Sequence, residues 1–184
     1  MTLAEQIAQA AAELVAGAAG TSPQALADLV EELATARKVV TYGCGREGLM
    51  MRALTMRLYH LGLDIHVVGD MSCPPLGPTD LLLVSSGPGA LSTVAALLTQ
   101  ARNAGARTAC ITAQPHGPDP ASCDLTLTIP AQTMANDTGS TQLLPMGSVF
   151  EGAQFLIFEI LILALRDRLG ESAATMRARH TNLE

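Results

Sequence analysis

Basic charge is scarce in this sequence, and almost all of it is arginine. Eleven basic residues stand against 17 acidic ones, for a formal net charge of −6 in 184 residues, and no basic cluster occurs. That balance argues against nucleic acid and anionic membrane as partners. Lysine occurs once, at Lys38, so a Schiff-base mechanism would have to run through that residue alone. Cysteine pairing is absent too. Cys44, Cys73, Cys110 and Cys123 lie at wide, unrelated spacings with no C-x-x-C, which suggests neither a zinc site nor a redox pair. No charged-then-apolar segment opens the chain, and reduced thiols in the cytoplasm are the expectation. Long apolar runs are also missing. The longest, "FLIFEILILAL" at 155–165, is too short to span a bilayer and carries Glu159 in its middle, so it reads as a buried helix. There is no internal repeat, linker or low-complexity tract.

With 48% hydrophobic and 15% charged residues, the chain has the composition of one globular domain with a substantial core. Residues 3–17 and 22–36 space their apolar positions as helices do, and "TSP" at 21–23 supplies an N-cap and a first-turn proline. The rhythm then changes. Residues 38–43, 64–69, 80–86, 107–112 and 124–130 are short, β-branched or continuously apolar, and bounded by Gly, Pro or Asp, as buried parallel strands are. Helical segments are expected over 46–61, 89–104, 119–122, 148–169 and 171–179. The three prolines of "DMSCPPLGPTD" make the connection from the second strand to the third a loop. Alternation of this kind predicts an α/β sandwich on a parallel sheet, within a single domain over 1–184. Helices at 3–36 precede a sheet region at 37–170, and a helical tail at 171–184 follows it.

Ligands of such folds sit beyond the carboxyl ends of the strands, which directs attention to three loops: 43–48, 85–89 and 112–120. "GCGREG" runs from a strand into a helix, and Gly43 and Gly45 leave room for an anion on its backbone amides. Its G-x-G-x-x-G spacing is also that of a dinucleotide turn, but the second strand offers only Asp70, just past its end, as a ribose acid. "SSGPGALST" could cradle an anion with Ser85, Ser86, Gly87 and the amide of Gly89; an ordinary strand-to-helix turn with a serine cap is the alternative. Glu151 opens a strongly apolar helix. It is either a carboxylate settled on the helix dipole or a general base shielded by Phe150 and Phe155, with its pKa raised. His180 lies in a tail expected to fray, His60 reads as a C-terminal helix cap, and His66 and His116 look structural.

The order of these stretches resembles the sugar isomerase (SIS) domain family, and within it the 6-phospho-3-hexuloisomerase branch. The carrying residues are "YGCGREG", "MRLYHLG", "DLLLVSSGPG", "DLTLTIP", "LPMGSVFE" and "RHTNL". The resemblance implies a flavodoxin-like three-layer α/β/α sandwich with a five-stranded parallel sheet, assembled as a homodimer or homotetramer whose sites neighbouring subunits complete. It implies a small-molecule sugar or sugar phosphate as ligand and no metal or organic cofactor. The reaction would move a ketone between C3 and C2 through a cis-enediol. Glu151 would be the carbon base and His180 the shuttle for the oxygen protons, with Arg46 steadying the enediolate or an anionic end of the sugar.

At three positions the sequence departs from the branch. Glu47 stands where relatives usually carry a phosphate-binding serine, and Pro88 and Leu91 stand for a serine and a threonine with the same task. The expectation is that Glu47 points inward and that 6-phosphosugars bind weakly. The true ligand would be unphosphorylated or would carry its anion elsewhere. A non-catalytic sugar-binding module is the competing reading, and a nucleotide-dependent oxidoreductase a distant third.

Overall fold

Residues Val39–Gly43 (β1), Ile65–Val67 (β2), Leu81–Ser85 (β3), Arg107–Thr112 (β4) and Leu125–Thr128 (β5) form one sheet in the computed structural model. All four pairings are parallel, in the order β2-β1-β3-β4-β5. Seven helices accompany them among the described residues: Leu3–Ala19 (α1), Pro23–Thr35 (α2), Gly45–His60 (α3), Ser92–Asn103 (α4), Pro118–Ala121 (α5), Ser148–Leu169 (α6) and Ala173–Ala178 (α7). The structure describes residues 1–137 and 143–183. Positions 138–142 of the expected sheet region, and Glu184 at the end of the expected tail, lie outside it.

Local chemistry starts the helices where the sequence placed them. Thr2 and Glu5 close a capping box on α1, while Ser22 accepts from the Ala25 amide ahead of Pro23 in the first turn of α2. The sheet's side chains alternate between two apolar layers, as the period of a strand requires. Val39, Leu81, Leu83, Ala109, Ile111 and Leu127 face the layer made by α2, α3 and α6, whereas Val40, Leu82, Val84 and Cys110 face Val94, Leu98 and Ala101 of α4. The result is a three-layer α/β/α sandwich.

α6 has the length and hydropathy of a membrane span, yet half of its most apolar stretch is buried within the fold. It crosses α1 closely because glycine stands at the crossing on both helices. A Cβ on Gly17 would meet Val149 Cγ1 at 3.3 Å and Ala153 Cβ at 3.5 Å, and one on Gly152 would meet Leu14 Cδ2 at 2.5 Å. Glu13 of α1 accepts from the amides of Leu143 and Leu144 at 2.7 and 3.0 Å, which tethers the approach to α6.

Sheet order 2-1-3-4-5 puts the reversal of direction between β1 and β3. The crevice at their carboxyl ends is where the loops of interest converge.

Candidate active site

The β1–α3 turn is built by close approach of backbone to backbone. A Cβ on Gly48 would stand 2.4 Å from the Gly43 carbonyl oxygen, and one on Gly43 would stand 2.9 Å from the Gly48 nitrogen. Gly45 takes φ +55°, a left-handed value that costs other residues. The turn therefore places Arg46 and Glu47 in the first turn of α3, pointing toward the β3–α4 loop and the start of α6. Between these elements lies a cavity of about 310 Å³ whose lining includes Arg46, Glu47, Pro88, Leu91, Phe150 and Glu151. Met146, at the approach to α6, holds φ +59° and is, with Thr79, one of two non-glycine residues with positive φ among the described residues.

Glu151 sits one turn into α6, with its side chain 14% exposed. Burial pushes its carboxyl above the usual range, and the Arg46 guanidinium pulls the other way. Arg46 Nε stands 2.9 Å from Glu151 Oε2, and Arg46 Nη1 donates to Ser148 Oγ at 3.1 Å. The ion pair is poorly angled, so Oε2 is buried without a hydrogen-bond partner among the described residues. A buried carboxylate held by an ion pair with no aligned hydrogen bond suits proton abstraction. Phe150 shields it from within the core, whereas Phe155 is 51% exposed and does not line the cavity. Only half of the expected aromatic shield is present.

Glu47 points inward, as the sequence led one to expect. Its Oε2 accepts from Ser85 Oγ at 2.5 Å and from the Gly87 amide at 2.9 Å. Gln154, fully buried on α6, donates to Ser85 Oγ at 2.7 Å and so turns the serine proton toward Glu47. Burial raises the Glu47 pKa; the bonds from Ser85 and Gly87 lower it by less, and Glu151 adds a like-charge push upward. Ser86 behaves in parallel: its Oγ donates to Asp119 Oδ2 at 2.6 Å, and the same oxygen accepts the Leu91 amide at 2.8 Å. Sequence reasoning missed both Gln154 and Asp119. Gln154 follows Glu151 by three residues in an otherwise apolar stretch, a spacing that marks a shared helix face and could have exposed it. Asp119 sits between two prolines and gave no such signal.

Gly89 does not serve as an open donor, because its amide donates to the Ser86 carbonyl at 2.9 Å and its φ is +77°. Within one protomer His180 is remote from Glu151. It lines a separate cavity of about 390 Å³ with His60, Ile162 and Arg166, some three turns further along α6, or roughly 16 Å by helix rise. The His60 and His180 ring centroids are 5.3 Å apart, and His60 lies buried in the last turn of α3, where a C-terminal cap had been expected. Nor does the tail hang free. Arg179 donates to Glu171 and to the His60 carbonyl oxygen, each at 2.9 Å. Lys38 lies at the amino end of β1, where it donates to the Pro75 carbonyl, away from the crevice. Asp70, the candidate ribose acid, pairs with Arg52 at 3.5 Å.

Residues 32–150 match the model of the SIS domain. The chain is 31% identical to the 3-hexulose-6-phosphate isomerase of Bacillus subtilis (strain 168) over the full length of both. It is 36% identical to the enzyme of that name from Mycobacterium gastri, covering 94% of this chain and 86% of that one. Among solved structures, a Methanococcus jannaschii protein superposes with a TM-score of 0.84 at 26% identity, over 98% of this chain and 99% of the other. Its structure was described as inferring a function of 3-hexulose-6-phosphate isomerase.

Proposed function

The chain belongs to the SIS domain family, and from that premise we propose that it is a ketose isomerase moving a carbonyl between C3 and C2 of a six-carbon ketose. The observation that carries the reading is Glu151: a mostly buried carboxylate with raised pKa, paired with Arg46 and facing a sugar-sized cavity. Glu151 removes the C2 proton of the 3-ketose to give a cis-enediol, then returns a proton at C3 to give the 2-ketose. Arg46 beside it stabilises the enediolate oxygen that carries charge in between. The remaining task is moving protons between O2 and O3, which falls to His180 of a neighbouring subunit, since His180 of the same protomer is out of reach. The names of the relatives support this reaction class with a hexulose 6-phosphate as substrate; the free sugar as ligand, and a reaction without added cofactor, are part of the proposal. We place the enzyme in the cytoplasm as a homodimer or homotetramer of single-domain chains.

A non-catalytic sugar-binding role is favoured by one observation, the commitment of the loop hydroxyls to Glu47 and Asp119. Turnover separates the two readings. Interconversion of 3-hexulose and fructose, each as free sugar and as 6-phosphate, is measured for wild type, Glu151→Gln and His180→Asn. The isomerase reading expects turnover on at least one pair, lowered by several orders of magnitude in Glu151→Gln with ligand affinity kept. His180→Asn should lose about 10²–10⁴-fold, the scale of one proton-transfer group. Binding without turnover in the wild type would establish the binding module instead.

A further inference from the structure

From Ser85 to Gly89, no hydroxyl and no loop amide remains for an outside anion. Ser85 Oγ and the Gly87 amide donate to Glu47, Ser86 Oγ donates to Asp119, and the amides of Ser86 and Gly89 donate to backbone carbonyls of Ile111 and Ser86. Pro88 has no N–H to offer. A carboxylate from α3 thus occupies the place where the strand-to-helix turn would receive an anionic group.

The arrangement is supported from three elements. Gln154 of α6 orients the Ser85 hydroxyl, and β3 carries that serine, fully buried. Gly87 supplies both a donor and an empty space: a Cβ there would stand 2.7 Å from Glu47 Oε1 and 2.8 Å from Phe150 Cε1. Only a residue without a side chain lets the carboxylate come this near. On the cavity side the charge is adverse to a dianion as well. Among the described residues lining it, Arg46 is the sole cation and is paired with Glu151, so two carboxylates face one committed guanidinium.

We infer that Glu47 is a specificity-determining residue that fills this chain's own anion seat, so that the site takes an unphosphorylated ketose whose chain hydroxyl donates to the Glu47 carboxylate. The ketose part rests on the isomerase reading; the filled seat does not. Glu47 uses Oε2 for both of its bonds within the protein, which leaves Oε1 to accept from a ligand hydroxyl.

Calorimetric titration of the full chain with fructose and with fructose 6-phosphate tests this, in wild type, Glu47→Ser and Glu47→Gln. The wild type is expected to bind the phosphate ester no more tightly than the free sugar. Glu47→Ser, which releases Ser85 and Gly87 to the ligand, should shift the ratio toward the ester by about tenfold or more, the scale of a charge-assisted hydrogen bond regained. Glu47→Gln removes the charge but keeps the seat filled, so it should gain much less. Glu47→Thr repeats the first arm if the serine variant does not fold. A wild type that prefers the ester tenfold, or a ratio unmoved by emptying the seat, overturns the inference and leaves the isomerase reading intact. Should the wild type bind neither sugar while Glu47→Ser gains the ester, the filled seat stands and the ketose reading fails.

Discussion

Glu47 accepts two hydrogen bonds inside the fold, yet burial holds its carboxyl above the usual range. The native state therefore binds a proton more readily than the unfolded chain does. The stability this group contributes is complete below its unfolded value of 4.5 and is lost as pH rises through the higher folded value. Glu47→Gln should accordingly match the wild type near pH 4 and become progressively more stable than it toward neutrality. Thermal melts from pH 4 to 8 check this, and parallel curves for the two proteins would contradict the buried, strained charge. The same placement bears on ligand charge: each unit of like charge at about 4 Å costs on the order of 4 kcal/mol at an effective dielectric near 20. The inward direction of Glu47 was legible from the sequence because three departures in two loops shared one consequence. Its partners were not. Ser85 and Gly87 looked like open donors, and nothing in "SSGPG" shows that a carboxylate from another element has claimed them.

The elements were legible nearly to their ends, since short apolar strands bounded by Gly, Pro or Asp and long periodic helices leave few alternatives. All five strands formed where expected, and α6 runs from Ser148 to Leu169 as the spacing predicts. What could not be read was close approach between elements. Gly48 lies in the first turn of α3, where propensity alone would make Gly48→Ala stabilising by about 1 kcal/mol. Its Cβ would fall 2.4 Å from the Gly43 carbonyl oxygen, a backbone atom that cannot rotate away. We expect a net loss of about 1–3 kcal/mol in urea unfolding, together with weaker ligand binding as Arg46 and Glu47 move with the turn. A stabilised variant with normal binding would refute the close-packed turn. The tail likewise defied its sequence, being held by Glu171, Arg179 and the His60 carbonyl oxygen. The hydrogen bonds from Arg179 and Thr175 hold the Glu171 carboxyl down at about 2, so the clasp should persist through mildly acid pH. Arg179→Ala should raise amide exchange across residues 173–183 while leaving the sheet protected.

At the scale of the whole molecule, α6 buries one side and leaves Phe155, Ile160 and Leu163 about half exposed; Met56 and Tyr59 of α3 are half exposed as well. A single chain has no use for that much apolar surface in water. The expectation is an isologous dimer, with pairing into tetramers open to it. Light scattering at micromolar concentration should show at least a dimer, and Leu163→Lys should weaken it. A strictly monomeric wild type would remove the means by which a neighbour's His180 reaches the cavity. The separation of His180 from Glu151 within one protomer was hidden in the sequence, because distance along α6 sets it and no motif reports that.

The central claim is that Glu151 exchanges a carbon-bound proton of a ketose, and solvent isotope exchange reads that step without assuming which product accumulates. Fructose and fructose 6-phosphate are incubated separately with the full chain in deuterium oxide and followed by proton NMR. The account predicts deuterium at C3 of fructose with the wild type, formed more slowly by about 10²-fold or more in Glu151→Gln. Absence of label from both sugars with the wild type, or equal labelling by Glu151→Gln, would contradict it.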